Sequence, residues 1–285
     1  MKLLLTGANG QLGRCFQDRL PEGWSLWATD STELDITNKE TVLSAVKQYK
    51  PDAIINAAAY TAVDKAEDEF ELAKLVNEVG PANLAIASKL YGITLVHVST
   101  DYVFDGKSSI PYLESDNTAP LGVYGQTKLA GEIAVLRENP ESIIIRTAWV
   151  FSEYGNNFVK TMLRVGNERK NLSVVDDQVG CPTYAGDIAS VIVNLLKIDP
   201  PKGIYNFCGD SSLSWCEFSK VIFDIANELN VIDTIPQVSA ITSDQYPTPV
   251  KRPSFSVLNT QKIEQLGMEP SNWKSALYKV LPKIS

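Results

Sequence analysis

Short apolar runs recur along the chain and alternate with segments of helical pattern. The runs cover residues 2–6, 25–30, 52–59, 93–100, 142–150 and 172–177. Continuous apolar runs of this length are typical of strands that are buried on both faces, and such strands form parallel sheets covered by helices. The alternation therefore predicts an α/β fold built on a doubly wound parallel (Rossmann) sheet.

Three of the intervening segments have strong helical signals. Residues 38–49 open with an asparagine cap and carry apolar positions on one face. In residues 69–91 a Gly-Pro pair interrupts the pattern, which predicts either two helices or one kinked helix. Residues 214–230 predict an amphipathic helix in which Ser214 is the cap and Glu217 completes a capping box.

The pattern loosens after about residue 200, where the chain is expected to leave the sheet. Residues 246–254 contain three prolines and predict an extended loop. We therefore expect a dinucleotide-binding domain of residues 1–150 plus about 171–197. A smaller C-terminal α/β substrate-binding lobe would comprise about 151–170 plus 198–285.

Composition narrows the possible partners. The chain has 26 Lys and Arg against 34 Asp and Glu, a net charge of −8, which argues against nucleic acid and against an acidic membrane as partners. Its four cysteines form no C-x-x-C pair, and one histidine is too few for a zinc site or a His-based triad. No apolar run reaches the length of a signal sequence or a membrane span, so a cytoplasmic protein is expected.

A glycine-rich turn follows the first predicted strand. Gly7, Gly10 and Gly13 in "TGANGQLG" would allow a tight turn and a close approach of the backbone to a pyrophosphate at the helix N-terminus. At the end of the second strand, Asp30 would accept from a ribose 2′-hydroxyl and favour NADH, unless it is only a turn residue or a helix cap. Arg14 would pair with a 2′-phosphate, so the expected cofactor is NADPH or NADH.

A tyrosine and a lysine four residues apart are candidates for proton transfer. Tyr124 and Lys128 would share one helix face, where the ammonium would lower the pKa of the phenol and also hold a ribose. The alternative is an ordinary helix pair with no chemistry. Ser99 and Thr100 end the fourth strand, where a hydroxyl would either polarise a substrate carbonyl or cap the following loop.

Several motifs together identify a family. The stretches "TGANGQLG", "LDIT", "NAAAYTAVDKAE", "STDYVFDG", "YGQTKLAGE", "RTAWVF" and "DDQVGCPTY" run in order over the first two-thirds of the chain, and "KRPSFSVL" follows near the end. The chain resembles the extended short-chain dehydrogenases/reductases, and among them the dTDP-4-dehydrorhamnose reductase family. Among these stretches, "TGANGQLG" and "STDYVFDG" together with "YGQTK" imply a nicotinamide-dependent reductase.

The resemblance implies three sets of site residues. The catalytic residues would be Thr100, Tyr124 and Lys128. The cofactor would be bound by Gly7, Asn9, Gly10, Gln11 and Leu12 at the pyrophosphate, Asp30, Asp35 and Ile36 at the adenosine end, and Ala57, Ala58, Tyr60, Tyr124 and Lys128 along the strand ends. The substrate would be bound by Val63, Thr100, Asp101, Tyr102, Trp149, Asn157 and Arg252, with Asn156 a weaker candidate.

One position departs from the family pattern. Some members are dimers bridged by magnesium through acidic residues early in the first helix. Here that stretch reads "RCFQD", with Cys15 where a glutamate is expected. We therefore expect no metal, and a monomer or a homodimer.

The reaction implied by the resemblance is the last step of dTDP-rhamnose biosynthesis. It is the NAD(P)H-dependent reduction of the C4 keto group of dTDP-4-dehydro-L-rhamnose, a dTDP-linked 4-keto-6-deoxyhexose, to dTDP-L-rhamnose. One alternative is a non-catalytic NAD(P)-binding regulatory subunit of a methionine adenosyltransferase, although an intact Thr100, Tyr124 and Lys128 set argues against a pure scaffold. The other is a reductase of a different nucleotide 4-keto-deoxysugar.

Overall fold

A computed structural model describes residues 1–284 of the chain. Its strands are β1 (Lys2–Thr6), β2 (Ser25–Thr29), β3 (Ala53–Asn56), β4 (Thr94–Thr100), β5 (Ile143–Thr147), β6 (Val150–Phe151), β7 (Asn171–Val175), β8 (Val179–Gly180), β9 (Thr183–Tyr184), β10 (Gly203–Asn206), β11 (Leu213–Ser214) and β12 (Gln237–Ile241). Its α-helices are α1 (Gln11–Gln17), α2 (Lys39–Tyr49), α3 (Phe70–Lys74), α4 (Gly80–Tyr91), α5 (Val123–Glu138), α6 (Phe158–Glu168), α7 (Ala185–Ile198), α8 (Trp215–Glu228), α9 (Gln261–Glu264) and α10 (Trp273–Val280).

Six parallel strands form the central sheet in the order β10-β5-β4-β3-β1-β2. Alternate residues of its buried strands enter two different cores, as the period of a strand requires. In β1, Leu3 and Leu5 pack in the core that includes Phe16 of α1, whereas Leu4 packs in the core that includes Val42 of α2. Helices thus cover both faces, and the predicted doubly wound α/β fold is confirmed.

Polar side chains lie at the carboxyl ends of the central strands. The Thr6 hydroxyl donates to Asn56 Oδ1 at 2.8 Å, and Asn56 Nδ2 lies 3.0 Å from His97 Nδ1. Thr100 and Thr147 are paired at the ends of β4 and β5. In a doubly wound sheet this edge is where ligands bind, so the fold places the candidate residues around one crevice.

Two strands lie in sheets other than those expected. The apolar run at 172–177 was expected in the central sheet, but β7 pairs in parallel with β12 in a separate two-stranded sheet. Its side chains alternate between buried and exposed, which suits a strand that is covered on one face only. The sixth central strand is instead β10, which was expected in the lobe. The expected sheet membership is thus wrong for these two strands, and the division into domains stays a prediction.

The structure tests the predicted break within residues 69–91 and the predicted capping box at Ser214. The backbone stays helical from α3 to α4 through a π-helical segment at Leu75–Val79, so residues 70–91 form one helix with a π segment rather than two helices. The predicted capping box of α8 is confirmed, because Ser214 and Glu217 each accept from the backbone of the other. Among the helices described within residues 1–284, none has the length and apolar character to span a membrane.

Candidate active site

The glycine-rich turn connects β1 to α1. Gly7 has φ +76°, and a Cβ there would lie 2.6 Å from the backbone of Ala57 and Ala58, so a larger residue is excluded. A Cβ at Gly13 would lie 2.2 Å from the Gly7 carbonyl oxygen, so this glycine permits close packing of helix and strand. Gly10 is the N-cap of α1 and supplies no capping side chain. The turn therefore has the shape and the backbone donors that a pyrophosphate needs.

Asp30 follows β2 and accepts several hydrogen bonds. Asn9 Nδ2 donates to its Oδ2 at 2.8 Å, and the Thr32 backbone N–H and hydroxyl donate to its Oδ1 at 2.8 and 2.7 Å. The bonds from Thr32 hold the pKa of the Asp30 carboxyl below its usual value. Asp30 therefore stabilises its own turn and also presents a fixed negative charge beside the glycine-rich turn. Arg14 points elsewhere, with its guanidinium carbon 5.9 Å from the centre of the Tyr154 ring.

Replacement of Asp30 by asparagine is expected to shift cofactor preference towards NADPH. The amide keeps the acceptor for Thr32 but removes the charge that would repel a 2′-phosphate. Like charges about 4 Å apart in water repel by ~1 kcal/mol, so the ratio of the Kd values for NADH and NADPH should change about fivefold. Titrations of the purified protein with both cofactors measure this ratio. An unchanged ratio would mean that Asp30 acts only as a turn residue.

The two other residues predicted at the adenosine end, Asp35 and Ile36, make contacts within the protein itself. Asp35 Oδ1 accepts from the backbone N–H and the hydroxyl of Thr37 at 2.9 and 2.7 Å. Ile36 is buried in the core beneath α4, where its side chain would clash with a Cβ at Gly80. Ile36 is thus part of the packing, its carbonyl accepts from Asn83 Nδ2 at 3.0 Å, and Asp35 is exposed.

The segment after β3 is fixed by a residue that the sequence did not reveal. Asn77, buried in the π-helical segment, accepts from the Tyr60 N–H at 2.8 Å and donates to the Tyr60 carbonyl at 3.1 Å. It also donates to the Thr127 hydroxyl on α5 at 3.1 Å. The Tyr60 hydroxyl donates to Glu69 Oε2 at 2.7 Å, and this bond raises the pKa of Tyr60 to about 12. Asn77 thus positions the third strand's loop against the helix of Tyr124.

Thr100, Tyr124 and Lys128 converge at the ends of β4 and α5. The Thr100 side chain lies beside the Tyr124 hydroxyl, and its Oγ1 donates to Asp101 Oδ1 at 3.0 Å. Lys128 is buried one turn further along α5, and its Nζ donates to the carbonyl of Val98 at 2.7 Å. The predicted hydroxyl, phenol and ammonium are therefore neighbours, as the proposed chemistry requires.

Burial controls the pKa values of this group. It raises the pKa of the Tyr124 phenol above its usual value, and it lowers the pKa of Lys128 to about 8. The expected lowering of the Tyr124 pKa by Lys128 is thus not found in the free protein, because desolvation of the phenol dominates and the Lys128 ammonium is directed at Val98. A raised pKa keeps the phenol protonated, which suits a group that must donate a proton.

The lowered pKa of Lys128 predicts a pH dependence. The ammonium is fully present well below pH 8 and is lost as the pH rises through about 8, since the pKa is depressed from 10.5. Because the ammonium is the form that donates to a ribose hydroxyl, kcat/KM for the cofactor should decline above about pH 8. The decline should be absent in Lys128→Met and retained in Lys89→Met, an exposed lysine. A decline retained in Lys128→Met would assign it to another group.

The residues after β4 border the same crevice. Asp101 is buried, which raises its pKa to about 6. The Tyr102 ring lies edge-on to Tyr124 with centroids 5.5 Å apart, and its hydroxyl lies near the Arg252 guanidinium. Arg252 Nη2 donates to both carboxylate oxygens of Asp64 at 2.8 Å. The late Arg-Pro motif is thus brought to the crevice, and Asp64 is a partner that sequence reasoning missed.

Trp149 follows β5 and has a backbone conformation in the left-handed region, with φ +46°. Such a conformation is rare for a bulky residue and is often found at functional sites. Its ring stacks on Trp215 with centroids 3.3 Å apart, and a Cβ at Gly180 would touch it at 2.4 Å. Trp215, at the start of α8, was not predicted because only the fold brings it to Trp149.

The remaining residues singled out in the sequence differ in how far they are buried and in what they contact. Asn157 Nδ2 donates to Gln11 Oε1 at 3.0 Å and therefore contacts the glycine-rich turn, whereas Asn156 is exposed. Val63 is half-buried beside Asp64, and Leu12 packs against the core. Cys15, where the family pattern has an acidic residue, is fully buried, and burial raises its pKa to about 12.

A carboxylate caps the helix that carries Tyr124. Gly122 is the N-cap of α5 and has no side chain, and the first turn contains no acidic residue. Glu67, 56 residues earlier, accepts from the Val123 N–H at 2.8 Å. A Cβ at Gly122 would lie 2.9 Å from this carboxylate, so the glycine permits the contact. Carboxylates at this end of a helix are stabilising, and this cap fixes the start of α5.

The comparisons with known proteins agree with this geometry. The chain is 49% identical to a dTDP-4-dehydrorhamnose reductase of Aggregatibacter actinomycetemcomitans over 97% of each protein, and 39% identical to that of Escherichia coli K12 over 100% of this chain and 98% of the relative. The crystal structure of a dTDP-4-dehydrorhamnose reductase from Bacillus anthracis in complex with NADP matches with a TM-score of 0.93, 39% identity and 99% coverage of both chains. A UDP-glucose 4-epimerase from Thermus thermophilus, at 20% identity and a TM-score of 0.83, shares the fold. The family model described as the RmlD substrate binding domain matches residues 1–285, and the chain therefore belongs to the family of the dTDP-4-dehydrorhamnose reductases.

Proposed function

We propose that this protein is an NAD(P)H-dependent reductase of the C4 keto group of dTDP-4-dehydro-L-rhamnose. The observation that carries the proposal is that the Thr100 side chain lies beside the Tyr124 phenol at the carboxyl end of β4, with the buried Lys128 one turn further along α5. Full-length relatives named for this reaction and the NADP complex of a relative support the same choice. The product would be dTDP-L-rhamnose.

Each residue has a defined role in this proposal. Tyr124 donates its phenolic proton to the C4 oxygen as that oxygen gains negative charge. Thr100 rotates its hydroxyl from Asp101 Oδ1 to donate a hydrogen bond to the same oxygen. Lys128 turns its ammonium from the Val98 carbonyl to a ribose hydroxyl of the cofactor, which positions the nicotinamide.

The residues of the glycine-rich turn fit a dinucleotide. Gly10 keeps the exposed part of the turn free of a side chain, and Gly7 and Gly13 permit its tight path. Asn9 is held by Asp30 at the edge of the turn. NADPH or NADH, when bound there, supplies the hydride that reduces the keto carbon. We place the sugar between Asp101, Tyr102 and Trp149, and the diphosphate near Arg252, whose guanidinium suits phosphate oxygens.

The intact proton-transfer group separates this proposal from a non-catalytic regulatory subunit. A subunit that only binds a cofactor and a partner has no need for a hydroxyl, a phenol and a buried ammonium in contact. The choice among nucleotide sugars rests on the contacts of the C-terminal lobe, which the experiment below addresses.

The purified protein should oxidise NADPH or NADH when dTDP-4-dehydro-L-rhamnose is added, seen as loss of the nicotinamide absorbance. Parallel reactions with the UDP-linked 4-keto sugar test the nucleotide. Product analysis by NMR should identify dTDP-L-rhamnose. Binding of the cofactor without turnover of either sugar would favour a regulatory subunit, and faster turnover of the UDP-linked sugar would assign a different substrate.

A further inference from the structure

A segment distant in sequence lies against the first helical turn after the glycines. The segment 150–157 contains β6 and the loop that leads to α6. It contacts α1 through Gln11, Arg14 and Asp18, which lie on one face of that helix by their spacing. The outermost contacts are the Tyr154 hydroxyl, which donates to Asp18 Oδ2 at 2.8 Å, and the Tyr154 ring beside Arg14.

The contact at Gln11 is built by two polar side chains. The Ser152 hydroxyl lies 3.0 Å from Gln11 Oε1, and Asn157 Nδ2 lies 3.0 Å from the same oxygen. Ser152 is fully buried, and Asn157 Nδ2 also donates to the backbone carbonyl of Ser152 at 2.8 Å. Gly155, at φ +59°, lets the loop pass so close that a Cβ there would lie 3.1 Å from Gln11 Cγ. Asn157 thus donates to Gln11 Oε1, and the Ser152 hydroxyl faces the same oxygen and the Tyr154 carbonyl, which lies 3.1 Å away.

The position of Gln11 gives this contact a consequence for ligand binding. Gln11 is the first residue of α1, directly after the glycine that caps it. Its side chain is held away from the turn by Ser152 and Asn157, which leaves the backbone donors of the first turn uncovered. A Gln11 side chain released from these bonds would be free to fold over the backbone that must meet a pyrophosphate.

We propose that Ser152 and Asn157 are positioning residues of the cofactor site, which hold Gln11 so that the first turn of α1 is preorganised for the pyrophosphate of a dinucleotide. The proposal rests on the function proposed above, since it requires a dinucleotide at the glycine-rich turn. It moves Asn157 from the substrate pocket, where the family resemblance placed it, to the wall of the cofactor site. Ser152 is a new member of that site.

The experiment separates this role from the second role of Asn157, the N-cap of α6. Its Oδ1 accepts from the Lys160 N–H at 3.1 Å. Asn157→Asp keeps that acceptor and a good cap, so α6 should keep its stability, but it removes the donor to Gln11 and to the Ser152 carbonyl. Ser152→Ala removes the other donor. The matched control is Asn272→Asp, which makes the same change at the N-cap of α10.

Kd for NADPH is measured by the change in protein fluorescence, without sugar substrate, together with the Tm of each variant. We expect Kd to rise about threefold to tenfold in Asn157→Asp and Ser152→Ala, as for the loss of one hydrogen bond, with kcat at saturating NADPH and Tm unchanged. Asn272→Asp should bind like the unaltered protein. Gln11→Ala combined with Asn157→Asp should bind no more weakly than Gln11→Ala alone, because the partner is already absent.

Three results would overturn the proposal. If the unaltered protein binds NADPH and both variants bind it equally well, the proposal fails and the proposed reductase function stands. If Asn157→Asp weakens binding of dTDP but not of NADPH, Asn157 belongs to the substrate pocket. If the unaltered protein binds neither NADPH nor NADH, both this proposal and the proposed function fail.

Discussion

Replacement of Tyr124 by phenylalanine is expected to lower kcat by about 100- to 10,000-fold, the range that a positioned proton donor contributes. The change removes one hydroxyl and keeps the ring, so the edge-on contact with Tyr102 should persist. The lost hydroxyl is the one that lies beside the Thr100 side chain. Because the pKa of this buried phenol is raised, the group is protonated at neutral pH and acts as the acid in the direction of reduction.

The measurement is steady-state turnover with saturating cofactor, alongside the Kd for NADPH. The Kd should change little, because Lys128 and the glycine-rich turn are intact. Tyr246→Phe is the matched control, since Tyr246 is 60% exposed and lies in the proline-rich loop. Turnover of Tyr124→Phe within twofold of that of the control would remove Tyr124 from the mechanism.

Replacement of Glu132 by glutamine is expected to destabilise the fold by about 3–5 kcal/mol, as when one partner of a buried ion pair is removed. Arg146 on β5 donates from Nη2 to Glu132 Oε2 at 2.7 Å and from Nε to Oε1 at 3.0 Å, and both side chains are nearly inaccessible to solvent. The guanidinium also donates to the Glu114 carbonyl at 3.2 Å. Without the carboxylate, the charge of Arg146 would remain buried and uncompensated.

Urea unfolding of the variant measures this loss as a lower midpoint. Glu168→Gln is the control, because its pair with Arg164 is exposed at both ends and should contribute less than about 1 kcal/mol. Equal midpoints for the two variants would contradict the account of Glu132. The same carboxylate raises the pKa of Lys128, so Glu132→Gln should also move the alkaline decline of kcat/KM to lower pH.

The parts of the fold that the sequence predicted are those with strong local signals. The runs at β1 and β4 are largely apolar because both faces of the sheet are covered. The start of α8 could be predicted because its capping box, Ser214 and Glu217, lies within four residues of sequence. The strand β10 has only four residues, too few for a clear pattern. The run at β7 was assigned to the wrong sheet because its partner β12 follows 62 residues later, from Val175 to Gln237.

The same distinction applies to the site. The glycine-rich turn and the Tyr124–Lys128 spacing are local and could be predicted from the sequence. Asp64, Glu67 and Ser152 act through contacts that span 188, 56 and 141 residues, to Arg252, Val123 and Gln11. No spacing rule connects such pairs, so only the fold reveals them. The Tyr124–Lys128 spacing predicts a lowered pKa for the Tyr124 phenol, whereas burial raises it. The motif does not reveal this burial, because it depends on the fold.

The central claim is that Tyr124, assisted by Thr100 and Lys128, protonates the C4 oxygen of a dTDP-linked 4-keto-6-deoxyhexose. The most direct test is a single turnover of NADPH with dTDP-4-dehydro-L-rhamnose, followed by absorbance, for the unaltered protein and for Tyr124→Phe. We expect rapid loss of the nicotinamide absorbance in the unaltered protein and a rate lower by about 100-fold or more in Tyr124→Phe. No loss of absorbance in the unaltered protein, or equal rates in the two proteins, would contradict it.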